Sequence, residues 1–257
     1  DEFSGDVALG LGERDRRKFI GTVNVPITDS LYFRGSYYSF DIDGYLDNTA
    51  GGADQRFRDN EAYRLALRYV TDALDVQLTY NGDERSGNGN DRHTGAVETF
   101  SSDLLGDESF IQNEHDDFVL SVAFNLNDSY SITSLTSYRD SEWSYAEDFD
   151  SLDIALVGSP FLQGQTSELF SQELRLNADY RNGVSWFVGA NYFQDDITGY
   201  IDEQVDQGFA FNGVLEAFSN EPFFERGDYD GTSEGWSIYG DVNFALSEKL
   251  QLTLGGR

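Results

Sequence analysis

Ser167–Asp196 reads SELFSQELRLNADYRNGVSWFVGANYFQDD, and its alternation narrows the folds open to the chain. Phe170, Leu174, Leu176 and Ala178 fall on one face, and Ser171, Glu173, Arg175 and Asn177 on the other. The turn Tyr180–Arg181–Asn182–Gly183 follows; Asn-Gly is the strongest short signal for a hairpin. Beyond it, Trp186, Val188, Ala190 and Tyr192 alternate with Phe187, Gly189, Asn191 and Phe193. The pattern predicts two strands of about ten residues each. Glu173 and Arg175 place full charges in mid-strand on the polar face, while the other face is aliphatic and ends in aromatics. A soluble sandwich would bury that aliphatic face under a second sheet. A membrane barrel would turn it to lipid and keep the charges in a wet lumen.

Composition narrows the choice. The 257 residues include 47 acidic and 17 basic ones, a formal net charge of -30. Nucleic acid is excluded as a partner, because binding it needs a basic footprint. Aromatics make up 15% of the chain, far from the composition of a disordered acidic segment. Cys is absent, so no disulfide framework or Cys-based metal site exists. Met is absent even at position 1, so the translation start and any signal peptide are expected upstream. No apolar run is long enough for a transmembrane helix. A soluble β protein or a membrane β-barrel remains.

The same alternation recurs along the chain. Leu74, Val76, Leu78 and Tyr80 oppose Asp75, Gln77, Thr79 and Asn81. Tyr63, Leu65, Leu67 and Tyr69 oppose Arg64, Ala66 and Arg68, and Phe118, Leu120, Val122 and Phe124 oppose Val119, Ser121 and Ala123. Trp236, Ile238, Val242 and Phe244 oppose Ser237, Tyr239, Asp241 and Asn243. In Tyr130–Asp148 the phase slips, with Ile132 and Leu135 on opposite faces, so a bulge is expected there. Eleven strands are expected in all. Short connections at Thr28–Ser30, Thr71–Ala73, Leu126–Ser129, Tyr180–Gly183 and Ala245–Lys249 alternate with mostly long ones at Gly44–Asn60, Glu84–Asp116, Phe149–Glu168 and Thr198–Glu234. In a meander, every short turn then falls at one end, the asymmetry of outer-membrane barrels. Phe33, Tyr69, Tyr80, Trp186, Tyr192, Trp236 and Phe244 sit where interfacial girdles belong. Charged mid-strand residues on the inward faces decide against a dry core.

The ordered segments resemble the first half of the barrel of a TonB-dependent outer-membrane receptor. The resemblance runs through Phe3–Tyr45, Ser131–Asp150, Ser167–Asp179 and Ser237–Arg257. It implies an all-β, antiparallel up-and-down transmembrane β-barrel, of which residues 1–257 are a fragment of about eleven strands from a 22-stranded whole. A plug domain is expected upstream and the closing strands downstream, since an open edge is not viable in lipid. The implied function is active import of a scarce ligand across the outer membrane of a Gram-negative bacterium. The implied partners are the TonB complex, reached through the plug, the bilayer with its lipopolysaccharide, and a small ligand such as a ferric siderophore, cobalamin or an oligosaccharide. A passive porin and a soluble acidic β-domain binding carbohydrate are the alternatives.

No catalytic constellation is found, and neither an enzyme activity nor a cofactor is expected. His93 and His115 read as solvated residues of a long polar loop. Asp228-Tyr229-Asp230-Gly231 with Glu234 has part of a calcium-loop pattern, at the level chance gives in so acidic a chain. Ligand capture is expected from apolar residues of the long loops: Phe149 and Phe161 in one, and Phe209, Phe211, Phe218, Phe223 and Phe224 in another.

Overall fold

A computed structural model describes residues 2–48, 54–88, 99–100, 110–148, 160–181, 183–205 and 223–257. The strands are β1 (Ser4–Leu11), β2 (Arg17–Pro26), β3 (Leu31–Ile42), β4 (Asp47–Asn48), β5 (Arg58–Val70), β6 (Leu74–Gly87) and β7 (Thr99–Phe100). They continue with β8 (Phe110–Asn127), β9 (Tyr130–Asp148), β10 (Pro160–Arg181), β11 (Val184–Val205), β12 (Phe223–Ser247) and β13 (Leu250–Gly256). Eleven of them form one sheet in chain order, each antiparallel to the next; β4 and β7 pair separately in parallel. The eleven-stranded meander expected from the sequence is the one observed. Its two edges, β1 and β13, do not pair with each other.

The short turns are built from side-chain acceptors. Thr28 Oγ1 accepts from the amides of Ser30 and Leu31 at 3.2 and 3.0 Å. Thr71 Oγ1 takes the Leu74 amide at 3.1 Å, and Asn127 Oδ1 the Ser129 amide at 2.9 Å. Such residues satisfy turn amides that no ladder reaches. Gly183 takes φ 79°, the left-handed value its hairpin turn requires.

Register makes one face of the sheet apolar from edge to edge. Leu67, Leu78 and Leu120 lie side by side across β5, β6 and β8. Leu174, Ala190 and Ile238 do the same across β10, β11 and β12. No second layer covers them: Leu78, Leu174 and Ile238 are 47%, 54% and 60% exposed. Aromatic rows bound this stripe. One row runs Tyr80, Phe118, Tyr138 and Phe170 across β6 to β10. Toward the short turns lie Phe33, Tyr69, Phe124, Tyr130 and Trp186, the last two rings 6.2 Å apart. Along a strand the rows are about six to eight residues, ~20–26 Å, apart. No Asp, Glu, Lys or Arg interrupts the face between them among the described residues.

The opposite face is polar at the same depth. Arg68 and Asp75 form a two-pronged pair at 2.9 and 2.6 Å, and Asn81 donates to Asp117 at 2.9 Å. Arg175 lies 3.6 Å from the centre of the Phe187 ring.

Two expectations are corrected. The ladder between β9 and β10 is unbroken from Tyr130↔Ala178 to Asp148↔Pro160, and the register shift against β8 falls at Asn125/Asn127 beside the turn, so no bulge separates Ile132 from Leu135. Leu135 simply stands among Thr133, Ser137 and Arg139 on the polar face. The strands also run well beyond ten residues: β10, β11 and β12 have 22, 22 and 25. Above the aromatic row neither face is uniformly apolar, so the ladder continues where hydrophobic alternation gives no signal.

That polar zone sorts its charge. On the outer side, Glu61, Glu84, Glu114 and Glu142 stand in one cross-strand row. Asp116, Asp140, Glu168 and Asp196 form the row beside it.

Candidate functional site

The opposite face of the same strands builds a cavity at the long-loop end. Its floor is two cross-strand rows: Phe40, Asn60, Arg85 and Asn113, then Ile42, Arg58, Gly87 and Ile111. Each row takes one residue from β3, β5, β6 and β8, so the period of two and the hairpin registers alone bring them together. Arg14, Tyr45, Arg56, Phe57 and Asn88 close the sides. The volume is about 490 Å³, within the range of small-molecule sites.

The walls are held in place. Tyr45 and Leu46 donate to Gln55 O at 2.9 and 3.3 Å, and Gln55 N returns a bond to Leu46 O at 2.9 Å. Leu46 and Gln55 are buried, and a Cβ on Gly44 would stand 2.5 Å from the Gln55 carbonyl, so only glycine fits this close approach. Arg56 N donates to Asn88 Oδ1 at 2.6 Å, tying the wall to the end of β6. Arg14 lies 5.2 Å from the Tyr45 ring centre, and its Nη1 donates to Asp43 O at 3.4 Å.

Strain concentrates here. The non-glycine residues with positive φ are Arg14 (60°), Asp15 (52°) and Arg56 (71°) among the described residues. Two of the three line the cavity. A non-glycine residue in that region costs about 1 kcal/mol or more and persists where its surroundings fix it. Next to the floor, Asp83 is held by Arg85 at 2.6 Å on one oxygen and by His115 Nδ1 on the other. The buried Asn60 Oδ1 has no hydrogen-bond partner.

No family model matches the sequence, and no curated protein does. Solved structures match it by shape. The siderophore receptor PiuA from Acinetobacter baumannii covers 100% of the chain at TM-score 0.66 and 13% identity. The ferripyoverdine receptor of the outer membrane of Pseudomonas aeruginosa covers 99% at 0.65 and 13%, and the ferric yersiniabactin uptake receptor FyuA from Yersinia pestis 97% at 0.60 and 13%. The sheet has the fold of an outer-membrane receptor barrel. The chain spans 45%, 36% and 46% of those three proteins, less than half of each. The fold implied by the TonB-dependent receptor resemblance is thus the fold observed. In such a barrel the polar face, and with it the cavity, is the inner wall.

The barrel places the sequence candidates unevenly. Phe161 lies in β10, on the inner side, with its ring 6.1 Å from that of Tyr145. Phe223 and Phe224 open β12, paired with Val205 and Gln204. All three were expected on loops and stand on strands instead, because the ladders extend so far above the aromatic row. Phe149, Phe209, Phe211 and Phe218 lie outside the described residues, as does His93. His115 is a strand residue of β8 bound to Asp83, not a solvated loop histidine. Asp228–Glu234 is mid-strand in β12, where an extended backbone cannot wrap a cation. Among the described residues no His, Asp and Glu group is arranged to hold a metal.

Sequence reasoning missed the cavity. Its floor residues are separated by up to seventy positions, from Phe40 to Asn113, and only the registers join them. The available signal was the run of basic residues through Arg14, Arg56, Arg58 and Arg85, against the acidic trend of the chain.

Proposed function

We propose that the chain is the barrel part of an outer-membrane receptor that imports a scarce ligand, such as a ferric siderophore, energised through TonB. The observation that carries this reading is a cavity on the inner wall, at the long-loop end of a barrel whose outer wall is free of charge between two aromatic rows. Ligand entering from the long-loop side meets the cavity before the lumen. The partners under this reading are the TonB complex, acting through a plug segment, the bilayer with its lipopolysaccharide, and the ligand itself. The cell of origin is Gram-negative. The solved neighbours named for siderophores and their iron complexes support that cargo class.

Uptake of radiolabelled iron chelates by cells with and without the gene tests the proposal. The expected result is gene-dependent uptake of at least one chelate that stops when TonB is deleted. Uptake that continues without TonB would support a passive porin in its place. The aromatic residue Phe161 is proposed to contact ligand from the rim.

A further inference from the structure

We propose that the cavity is a selectivity site for an oxyanionic ligand, one carrying carboxylate, catecholate or phosphate groups beside an apolar or aromatic body. The proposal rests on the receptor reading and adds the charge of the cargo. Arg14, Arg56, Arg58 and Arg85 line this one cavity, and among the described residues no Asp or Glu does. The chain has 47 acids to 17 bases, so lining drawn at random would be acidic. Charge is sorted by sign around the cavity: the outer faces of β5, β6 and β8 carry Glu61, Glu84 and Glu114, and the cavity floor on their inner faces carries Arg58 and Arg85.

The arginines are available in different degrees. Arg58 forms no ion pair among the described residues and lies exposed on the cavity floor. Arg14 is committed only to a ring and a carbonyl, both compatible with a further anionic partner. Arg85 shares Asp83 with His115, so part of its charge is already answered. Guanidinium forks match carboxylate and phosphate oxygens two at a time, which a lysine cannot do. Phe40, Tyr45 and Phe57 supply the apolar surface that a chelator body or catechol ring needs. The positive φ at Arg14 and Arg56 fits this use, since a strained backbone persists where a side chain must be aimed.

The test uses the detergent-purified protein and three iron complexes: ferric citrate and a ferric tris-catecholate, both anionic, and an uncharged ferric trihydroxamate. Inorganic phosphate serves as a competitor. Binding is read by calorimetry between about 50 and about 500 mM NaCl, a range over which screening shortens severalfold. At least one anionic complex is expected to bind, more weakly as salt rises, and to be preferred to the uncharged one. Arg58→Gln is expected to weaken it about tenfold or more, and Arg58→Lys to recover part of the loss. Arg64→Gln, on the same face of the same strand but outside the cavity, is expected to leave binding unchanged. Retained β-sheet circular dichroism shows that each variant is folded. The proposal is overturned if no anion binds, or if the uncharged complex binds as well as the anionic ones with no response to salt or to Arg58→Gln. TonB-dependent uptake of the uncharged chelate alone would leave the receptor reading standing and sink this one. Arg58-dependent anion binding without TonB-dependent uptake of any chelate would do the reverse.

Discussion

Above the aromatic row, β5 and β6 show opposite characters on their two faces. Outward they carry Glu61 opposite Glu84, with Glu114 next in the row. Inward they carry Arg58, Asn60 and Arg85, with Asp83 paired to Arg85 beside them. Neighbouring residues in sequence, such as Glu84 and Arg85, therefore belong to different electrical environments. The net charge of -30 is a sum over the whole chain and says little about the inner wall at this end. An acidic chain need not present an acidic vestibule, because a period of two separates what composition averages.

The largest effect should come from moving a charge between faces within the apolar stripe. Leu120→Arg puts a guanidinium at mid-stripe and is expected to destabilise the barrel by about 2–4 kcal/mol. Ser121→Arg, one residue on and facing inward, is expected to cost under about 1 kcal/mol. Urea unfolding in lipid vesicles measures both, and equal costs would break the two-face assignment.

Next come the carboxylate rows. Like charges directly opposite on neighbouring strands repel. Glu84→Gln combined with Glu114→Gln should stabilise the protein by about 1 kcal/mol at low salt, and the gain should vanish in about 1 M NaCl. Inward, Arg58→Gln should produce no gain at either salt concentration. Thermal melts at two ionic strengths make the comparison.

Partial burial, together with the charges of Asp41 and Glu61, holds the Asp59 carboxyl above the usual carboxylate range. Asp59 lies beyond the aromatic row, on the outer side. A raised folded-state value means that protonation favours the fold. The contribution of Asp59 to stability should therefore rise as pH falls through that value, and Asp59→Asn should flatten that part of the stability profile.

How much of this was legible in the sequence follows from where hydrophobic contrast exists. Between the aromatic rows, Leu74–Tyr80 and Phe118–Phe124 alternate cleanly, and the sheet order follows from them and from the strict succession of short and long connections. Above the row, Asp228, Tyr229, Asp230 and Gly231 have no apolar partner to mark a face, so a strand looked like a cation-binding loop. In β9, Leu135 looked like a phase slip because an inward leucine breaks the contrast without breaking the ladder. The cavity was hidden for a different reason. Arg58 joins Gly87 and Ile111 through registers that turn lengths and strand ends set together, and neither strand end was visible.

The smallest effect concerns the strained turn. Asp15→Gly removes the side chain from a residue at φ 52° and gives up only an exposed 3.5 Å pair with Arg17. A gain of about 0.5 kcal/mol is expected, since relief of the left-handed penalty is partly offset by a freer unfolded chain. A larger loss would show that this turn supports the cavity wall through Arg14.

A receptor barrel requires that alternate residues of one strand face lipid and water. Residues 1–257 contain no Cys, so single cysteines placed in turn from Phe118 to Phe124 can carry spin labels without interference from this chain. In proteoliposomes, collision with dissolved oxygen should be high at the even positions, and collision with a water-soluble paramagnetic complex high at the odd ones. Equal accessibility along the strand, or even positions shielded from both reagents, would contradict a lipid-facing stripe and with it the receptor barrel.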